Sequence, residues 1–264
     1  MNSILLVALF LLVGFVAGTG SGLIGIGGGI IYIPALLFLL PLLGVSDNNV
    51  VLTAITTSLF TAMFSSGTAF YNHLKLKNVR IKKAALFVLG SIVMSTIIPH
   101  FVVKMNPVVP KIVLLIVLIA AFIKVAFTKN ENMEAKYLLK EYYLILFGLF
   151  VGTLSALSGI GGGLVVIPVL ITFFGVEFKY AIGTSTMVVF ITILSSSFSY
   201  WIISGSENGL FGFINLFAAI PMIVGAIIGA IYGTKIGQKF STSTIKVIFS
   251  VILIFVIIKL IFEI

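Results

Sequence analysis

Runs of apolar residues long enough to cross a lipid bilayer recur along this chain, and they constrain its fold more than any other feature. They include Ile4–Val16, which continues through a Gly-rich run, and Ala84–Phe101, Val108–Phe127 and Ile245–Phe262. A bilayer core demands about 20 predominantly apolar residues per helix. Hydrophobic residues make up 60% of the 264 and charged residues 9%, whereas a water-facing surface usually needs about a quarter charged. The runs lack the apolar/polar alternation of a membrane β-barrel. The expected fold class is therefore an all-α polytopic membrane protein whose main solvent is lipid. The first twenty residues lack the basic start of a signal peptide and flow into a motif repeated later, so they read as a retained first helix.

The second feature is a repeat. GTGSGLIGIGGGIIYIPAL at 18–36 aligns without a gap on GTLSALSGIGGGLVVIPVL at 152–170, an offset of 134 with twelve of nineteen positions identical. Downstream, Ala54-Ile55-Thr56-Thr57-Ser58 falls over Ala181-Ile182-Gly183-Thr184-Ser185 at 127. Ser91 and Ser95 fall over Gly225 and Gly229 at 134, and Lys111 and Lys124 over Lys246 and Lys259 at 135. The chain divides into a first transmembrane repeat at 1–127, a charged linker at 128–141 and a second repeat at 142–264. Each half holds five apolar segments, about 3–24, 29–43, 49–72, 84–103 and 108–127, then 142–158, 163–175, 180–203, 209–233 and 243–262. The second segment of each half is too short to span without thinning or tilt. That gives eight to ten transmembrane segments, two of them short or re-entrant.

Charge sets the expected topology. With the N-terminus outside, the inner regions are 73–83, 128–141, 175–180 and 234–246, and with their helix ends they hold thirteen of the sixteen Lys and Arg residues. Loop 73–83 carries Lys75, Lys77, Arg80, Lys82 and Lys83, while its counterpart 204–212 carries none. The positive-inside rule favours this orientation. It places the linker in the cytoplasm and both termini outside a plasma membrane, and it makes the halves inverted repeats, a transporter arrangement with its site near midplane. A lipid or partner docking patch is the other account of the cluster at 75–83. The same bias explains the net charge of +9 without nucleic acid.

The Gly-rich break carries the functional signal. Each Gly disfavours a helix interior by about 1 kcal/mol relative to Ala, and frayed backbone is tolerated in a membrane only where it lines a cavity or is buried in protein. The expected geometry is a helix ending near Leu23, a turn over Gly25–Gly29 and a short helix from Ile30, repeated between Leu157 and Leu164. The start of each short helix exposes N–H groups at a positive dipole end. Two such ends would cradle an anion through Gly25, Gly27, Gly28, Gly29, Gly159, Gly161, Gly162 and Gly163, with hydroxyls from Ser21, Ser155 and Ser158. Thr56, Thr57 and Ser58, matched by Thr184, Ser185 and Thr186, would complete the shell; of that second set, Thr184 and Ser185 are the assigned members. Ser65, Ser66 and Ser195–Ser197 line a path or simply pack. Close helix packing is the competing account of the glycines, and back-bonding to the helix's own carbonyls is the competing account of the hydroxyls. Pro34 and Pro168 bend the short helices. A dinucleotide-binding reading lacks the preceding strand and the following acid.

Several chemistries lack their residues. There is no cysteine, and His73 and His100 are too few for a histidine-rich metal site, so no metal and no cofactor is expected. The seven acids, Asp47, Glu131, Glu134, Glu141, Glu177, Glu207 and Glu263, all fall in loops or at segment ends. Asp47 and Glu177 read as caps of the helices that follow. Intramembrane hydrolysis or transfer would need acid pairs, a metal set or an activated Ser, so the chain is not expected to be an enzyme. Proton-driven carriers commonly bury a carboxylate. An anion leaving a negative interior needs none, because it gains about 2.3 kcal/mol per charge per 100 mV. The expected partners are a small anion and the lipid bilayer, with a homodimer compatible.

The residues Gly18, Ser21, Gly25-Ile26-Gly27-Gly28-Gly29 and Pro34, their copies Gly152, Ser155, Gly159-Ile160-Gly161-Gly162-Gly163 and Pro168, and Gly183-Thr184-Ser185 resemble the sulfite exporter TauE/SafE family over essentially the full length. Thr56, standing where the second half has Gly183, is a departure. The resemblance implies an integral membrane transporter of about eight helices for small sulfur-containing or organic anions such as sulfite, sulfoacetate or taurine-related compounds. The expected function is a secondary transporter, an exporter, of such anions, alternating about the two breaks; the resemblance gives the anion class and not the direction. The alternatives are an anion channel, or an importer of a small organic anion coupled to Na⁺ or H⁺.

Overall fold

The computed structural model describes residues 3–106, 108–110, 112, 113, 115, 116, 119, 139–205, 211–237 and 254. Most of the charged linker and of the expected segments 108–127 and 243–262 lies outside the described residues. Apolar runs in lipid must satisfy their backbone groups internally, and all regular structure among the described residues is helical. The order is α1 (Ser3–Ile24), α2 (Gly29–Leu39), α3 (Asp47–Lys75), α4 (Ile81–Ile97), a short α5 (Pro99–Val102), α6 (Tyr143–Ser158), α7 (Gly163–Phe174), α8 (Phe178–Gly205) and α9 (Leu216–Gly237). Five spans are long and apolar enough to cross a membrane: Ser3–Ile24, Asn48–Lys75, Ile81–Val102, Phe178–Ile203 and Leu216–Gly237.

The central pair is α3 and α8. The apolar window of α3 is 72% buried, against 28% for α1. The outward face of α1 presents Ile4, Leu5, Leu11, Leu12 and Val16, an apolar surface that suits lipid and not water. Around the central pair stand two seams, α1 on α9 and α4 on α6. Gly14, Gly18 and Gly22 of α1 meet Met222, Ala226 and Ala230 of α9, while Gly225, Gly229 and Gly233 answer Leu11, Phe15 and Thr19. Backbone lies against backbone at these points, so no β-carbon fits, which is how small residues let membrane helices approach. The other seam repeats this pattern: Gly148 and Gly152 meet Phe87 and Ser91, and Gly90 meets Ile145 and Leu149. Gly90 and Gly225 are thus the equivalent positions. The fourth segments match at an offset of 135, with Ser91 over Ala226 and Ser95 over Ala230, one residue away from the sequence alignment.

Contacts fix the directions of the helices. The end of α3 meets the start of α8, where the Arg80 N–H donates to Thr184 Oγ1 at 3.0 Å. The residues after α8 meet the start of α3, where the Asn215 N–H donates to Thr57 Oγ1 at 3.0 Å. Hence α3 and α8 run antiparallel. The basic loop lies at the first of these ends. Lys83 pairs with Glu141 at 2.9 Å, the Arg80 guanidinium stacks 4.0 Å over Tyr180, and the Leu139 N–H donates to Phe173 O at 2.9 Å. The last of these bonds ties the end of α7 to the residue run entering α6, so α6 and α7 enter and leave at one end. By the same pattern α2 turns back and delivers the chain to the start of α3. Both short helices, Gly29–Leu39 and Gly163–Phe174, are shorter than the five candidate spans.

Candidate functional site

The two breaks lie where the sequence puts them. Helix α1 ends at Ile24 and α2 begins at Gly29; α6 ends at Ser158 and α7 begins at Gly163. Between them Gly25, Gly27 and Gly28 adopt φ of +74°, +87° and +81°, and Gly159, Gly161 and Gly162 adopt +68°, +91° and +74°. That left-handed backbone favours glycine, which is the physical reason the cluster occurs twice. The breaks also touch. A β-carbon on Gly29 would lie 2.5 Å from Ile160 Cα, and one on Gly163 would lie 2.6 Å from Ile26 Cα. Each turn is the packing surface of the other.

Hydroxyls from the central helices secure this contact crosswise. Ser58 Oγ donates to Gly159 O at 3.1 Å, and Ser185 Oγ donates to Gly25 O at 2.9 Å. The Gly25 and Gly159 carbonyls are thus each bonded by the opposite half. The neighbouring threonines turn elsewhere. Thr57 and Thr184 accept the N–H groups that precede α9 and α4, and Thr56 Oγ1 donates to Leu52 O and Phe213 O at 3.0 Å. Thr186 bonds Gly183 O within its own helix at 2.6 Å. The Thr56/Gly183 departure has a steric cause, because Gly183 sits against the Asn78 carbonyl where no side chain fits. Ser158 folds back on Leu154 O at 2.6 Å. Ser21 and Ser155, one turn before the breaks, are fully buried and their hydroxyls have no hydrogen-bond partner.

At the start of α2, the N–H groups of Ile31 and Tyr32 bond to Gly28 O, and at the start of α7 those of Val165 and Val166 bond to Gly162 O. The N–H groups of Gly29, Ile30, Gly163 and Leu164 have no backbone acceptor among the described residues, as befits helix N-termini. Among the described residues no three His, Cys, Asp or Glu side chains cluster to hold a metal. An open cleft of about 310 Å³ between α3 and α8, lined by Phe60, Met63, Leu194, Phe198 and Trp201, is apolar apart from Ser197 and offers an anion nothing to bind.

The sequence profile described as Sulfite exporter TauE/SafE matches residues 10–260. This chain belongs to the TauE/SafE sulfite exporter family. A "Probable membrane transporter protein" of Haemophilus influenzae is 32% identical over 222 residues, covering 83% of each chain. One of Methanocaldococcus jannaschii is 32% identical over 227 residues, covering 83% of this chain and 84% of its own. The "Probable membrane transporter protein YunE" of Bacillus subtilis is 28% identical over 281 residues, covering 100% of this chain and 98% of its own. No solved structure matches this chain.

In this TauE/SafE protein the structure also brings residues to the breaks that the sequence reading passed over. Val189 and Ile193 of α8 lie against both Gly27 and Gly161. Tyr32, read as one more apolar residue, is buried beside the first break with Ser65 next to its hydroxyl. Ser65 itself donates to Gly27 O at 3.2 Å. His73, expected in a loop, is buried in the last turn of α3 with Nε2 3.1 Å from Gly22 O. A carbonyl only accepts, so Nε2 carries the proton. Its counterpart at offset 127 is Tyr200, whose hydroxyl donates to Ala156 O at 2.8 Å. That offset was the available signal for His73. His100 is exposed at α5, with Nδ1 3.2 Å from Thr96 O. Glu177 precedes α8 and its carbonyl accepts the Ala181 N–H at 2.8 Å.

Proposed function

We propose that this family member is a secondary transporter, acting as an exporter, of small sulfur-containing anions such as sulfite or organosulfonates, alternating access about the paired helix breaks in a plasma membrane. The observation that carries the reading is the meeting of two helix N-termini, α2 and α7, at one place inside the bundle with the hydroxyls of Ser21 and Ser155 unpartnered nearby. Such ends bind anions without a basic side chain. Crosswise contacts and the antiparallel run of α3 and α8 support an inverted repeat, and the gathering of Lys75–Lys83, Glu141 and Lys179 at one end supports a cytoplasmic face there. A membrane potential then drives a monovalent anion outward by about 2.3 kcal/mol per 100 mV, a ~50-fold gradient, with no coupling ion. A site of backbone N–H groups and hydroxyls supports binding and passage of an anion.

The test is flux in proteoliposomes loaded with sulfite, sulfoacetate or thiosulfate under an imposed potential. Saturable, potential-driven efflux of at least one of them is expected. Folded protein that moves none of these anions would refute the reading.

A further inference from the structure

We propose that the site is one-sided: the start of α2 carries an oxyanion subsite lined by the hydroxyls of Ser21, Tyr32, Thr61 and Ser65, with no equal at the start of α7. The inference rests on the reading of the chain as an anion transporter and narrows where the anion sits.

Two of these hydroxyls are orphans and a third is nearly so. Ser21, Tyr32 and Thr61 are 0% exposed; Ser21 and Thr61 have no hydrogen-bond partner, and Tyr32 has only the Ser65 hydroxyl beside it. Buried polar groups are bonded as a rule, and an exception calls for an explanation. Tyr32 and Ser65 meet at one turn, and helical register puts Ser21 and Thr61 on the faces that lead to it. The Tyr32 ring packs on Gly28, the residue before α2, with Cε2 2.8 Å from where a β-carbon would stand; Ala17 O is 3.0 Å from the same point. Ser21 follows Ala17 by one helical turn on the same face of α1. The Tyr32 hydroxyl lies next to Ser65, and Ser65 Oγ is 3.2 Å from Gly27 O. Thr61 precedes Ser65 by one turn on the same face of α3. The free N–H groups of Gly29 and Ile30 complete a set of donors at a positive helix end.

The repeat supplies an internal comparison. Tyr32 corresponds to Val166, Thr61 to Val188 and Ser65 to Thr192. Thr192 turns away and donates to Ser91 Oγ at 2.8 Å and to Val188 O at 2.7 Å. Ser21 keeps a like partner in Ser155, whose hydroxyl is also buried and unbonded. The pseudo-two-fold centre is itself filled by Val189 and Ile193, pressed on Gly27 and Gly161. An anionic head therefore lodges off the axis, against the first repeat, with apolar side chains at its flank. That environment suits an oxyanion carrying a short carbon chain better than a bare halide. A cation is disfavoured by the helix N-terminus.

The experiment is thermal unfolding of the purified full chain in detergent, titrated with potassium sulfite, potassium sulfoacetate and potassium chloride, beside the flux assay. Sulfite or sulfoacetate should raise the wild-type Tm. Tyr32→Phe and Thr61→Val should each weaken the apparent affinity at least tenfold and together abolish the shift. The ligand-free Tm of Thr61→Val should hold or rise, because it removes a buried hydroxyl that the fold leaves unbonded. Ser196→Ala, which removes an orphan hydroxyl of the second repeat, should leave anion affinity unchanged. Unchanged affinity in Tyr32→Phe/Thr61→Val with intact wild-type flux would overturn the subsite and leave the transport reading standing. A lower ligand-free Tm in Thr61→Val would mean a structural hydroxyl and would also overturn it, as would stabilisation by potassium chloride in place of the oxyanions. No shift and no flux with any anion in the wild type would sink both.

Discussion

The contact between the two breaks can be tested at Gly29 and Gly163. Both residues are helical, so replacing either by Ala adds no left-handed strain. The new β-carbon would stand 2.5 Å from Ile160 Cα or 2.6 Å from Ile26 Cα. Carbon pairs prefer about 3.5–4.0 Å, so the breaks must part by about 1 Å. Overpacking of this kind costs about 1–3 kcal/mol, and the upper end applies because the obstacle is backbone and cannot rotate away. One gap relieves both contacts, since the two turns face each other. The double variant Gly29→Ala/Gly163→Ala should therefore cost about as much as one single variant, not about 6 kcal/mol, a coupling of the size expected for touching residues. Gly44→Ala is the control. Gly44 has φ of +81° with nothing within 4 Å of an added β-carbon, so it should cost about 1–2 kcal/mol of left-handed strain and keep full flux. The assay is unfolding by SDS titration in mixed micelles, with flux measured in parallel. Additive costs at Gly29 and Gly163, or singles no worse than Gly44→Ala with normal flux, would refute the reciprocal packing.

Ser58→Ala and Ser185→Ala each leave a break carbonyl unbonded and should each cost about 1–2 kcal/mol; unequal effects, one near zero, would contradict the crosswise symmetry. Thr56→Gly loses its hydrogen bonds and gains helix flexibility, about 2 kcal/mol, whereas the converse Gly183→Thr must displace the Asn78 carbonyl and should abolish folded protein on size-exclusion chromatography. Lys83→Ala breaks the pair with Glu141, whose side chain is 53% exposed. Its stability effect should stay below about 1 kcal/mol and vanish in high salt, and a larger, salt-independent loss would show that the pair is buried in the assembled protein.

The turns were legible in the sequence because a left-handed backbone nearly dictates glycine, and the repeat doubled that signal at Gly25–Gly28 and Gly159–Gly162. Helix ends there were placed within a residue. Side-chain direction was not legible. Neighbouring residues on a helix point about 100° apart, so in Thr57-Ser58 one hydroxyl caps a loop while the next reaches the opposite break, and residue type alone cannot tell them apart. The fourth segments slipped by one residue for a related reason: Ser91 and Gly225 are both small, and only the contacts of Gly90 with Ile145 and Leu149 fix the register. His73 was lost because counting apolar residues ends the segment at Asn72, although the helix runs on to Lys75. Tyr32 was hidden by its ring, which reads as apolar and says nothing of where the hydroxyl goes.

The seams bear on how such a protein could alternate. The closest backbone contacts join helices of different repeats, α1 to α9 and α4 to α6. A repeat rocking as one rigid body would have to open both seams, exposing packed glycine backbone, and would also break the Ser58 and Ser185 bonds to the opposite breaks. Among the described residues, bonds between elements of one repeat include His73 to Gly22 and Ser65 to Gly27 in the first and Tyr200 to Ala156 in the second. The His73 and Tyr200 bonds tie the first helix of each half to the closing turns of its central helix. Under the proposed transport function, the least costly motion would keep each mixed pair whole and swing α1–α9 against α4–α6 about the antiparallel α3 and α8. In that motion the equivalent bonds His73 to Gly22 and Tyr200 to Ala156 would act as latches, and the mobile units would each be assembled from both halves.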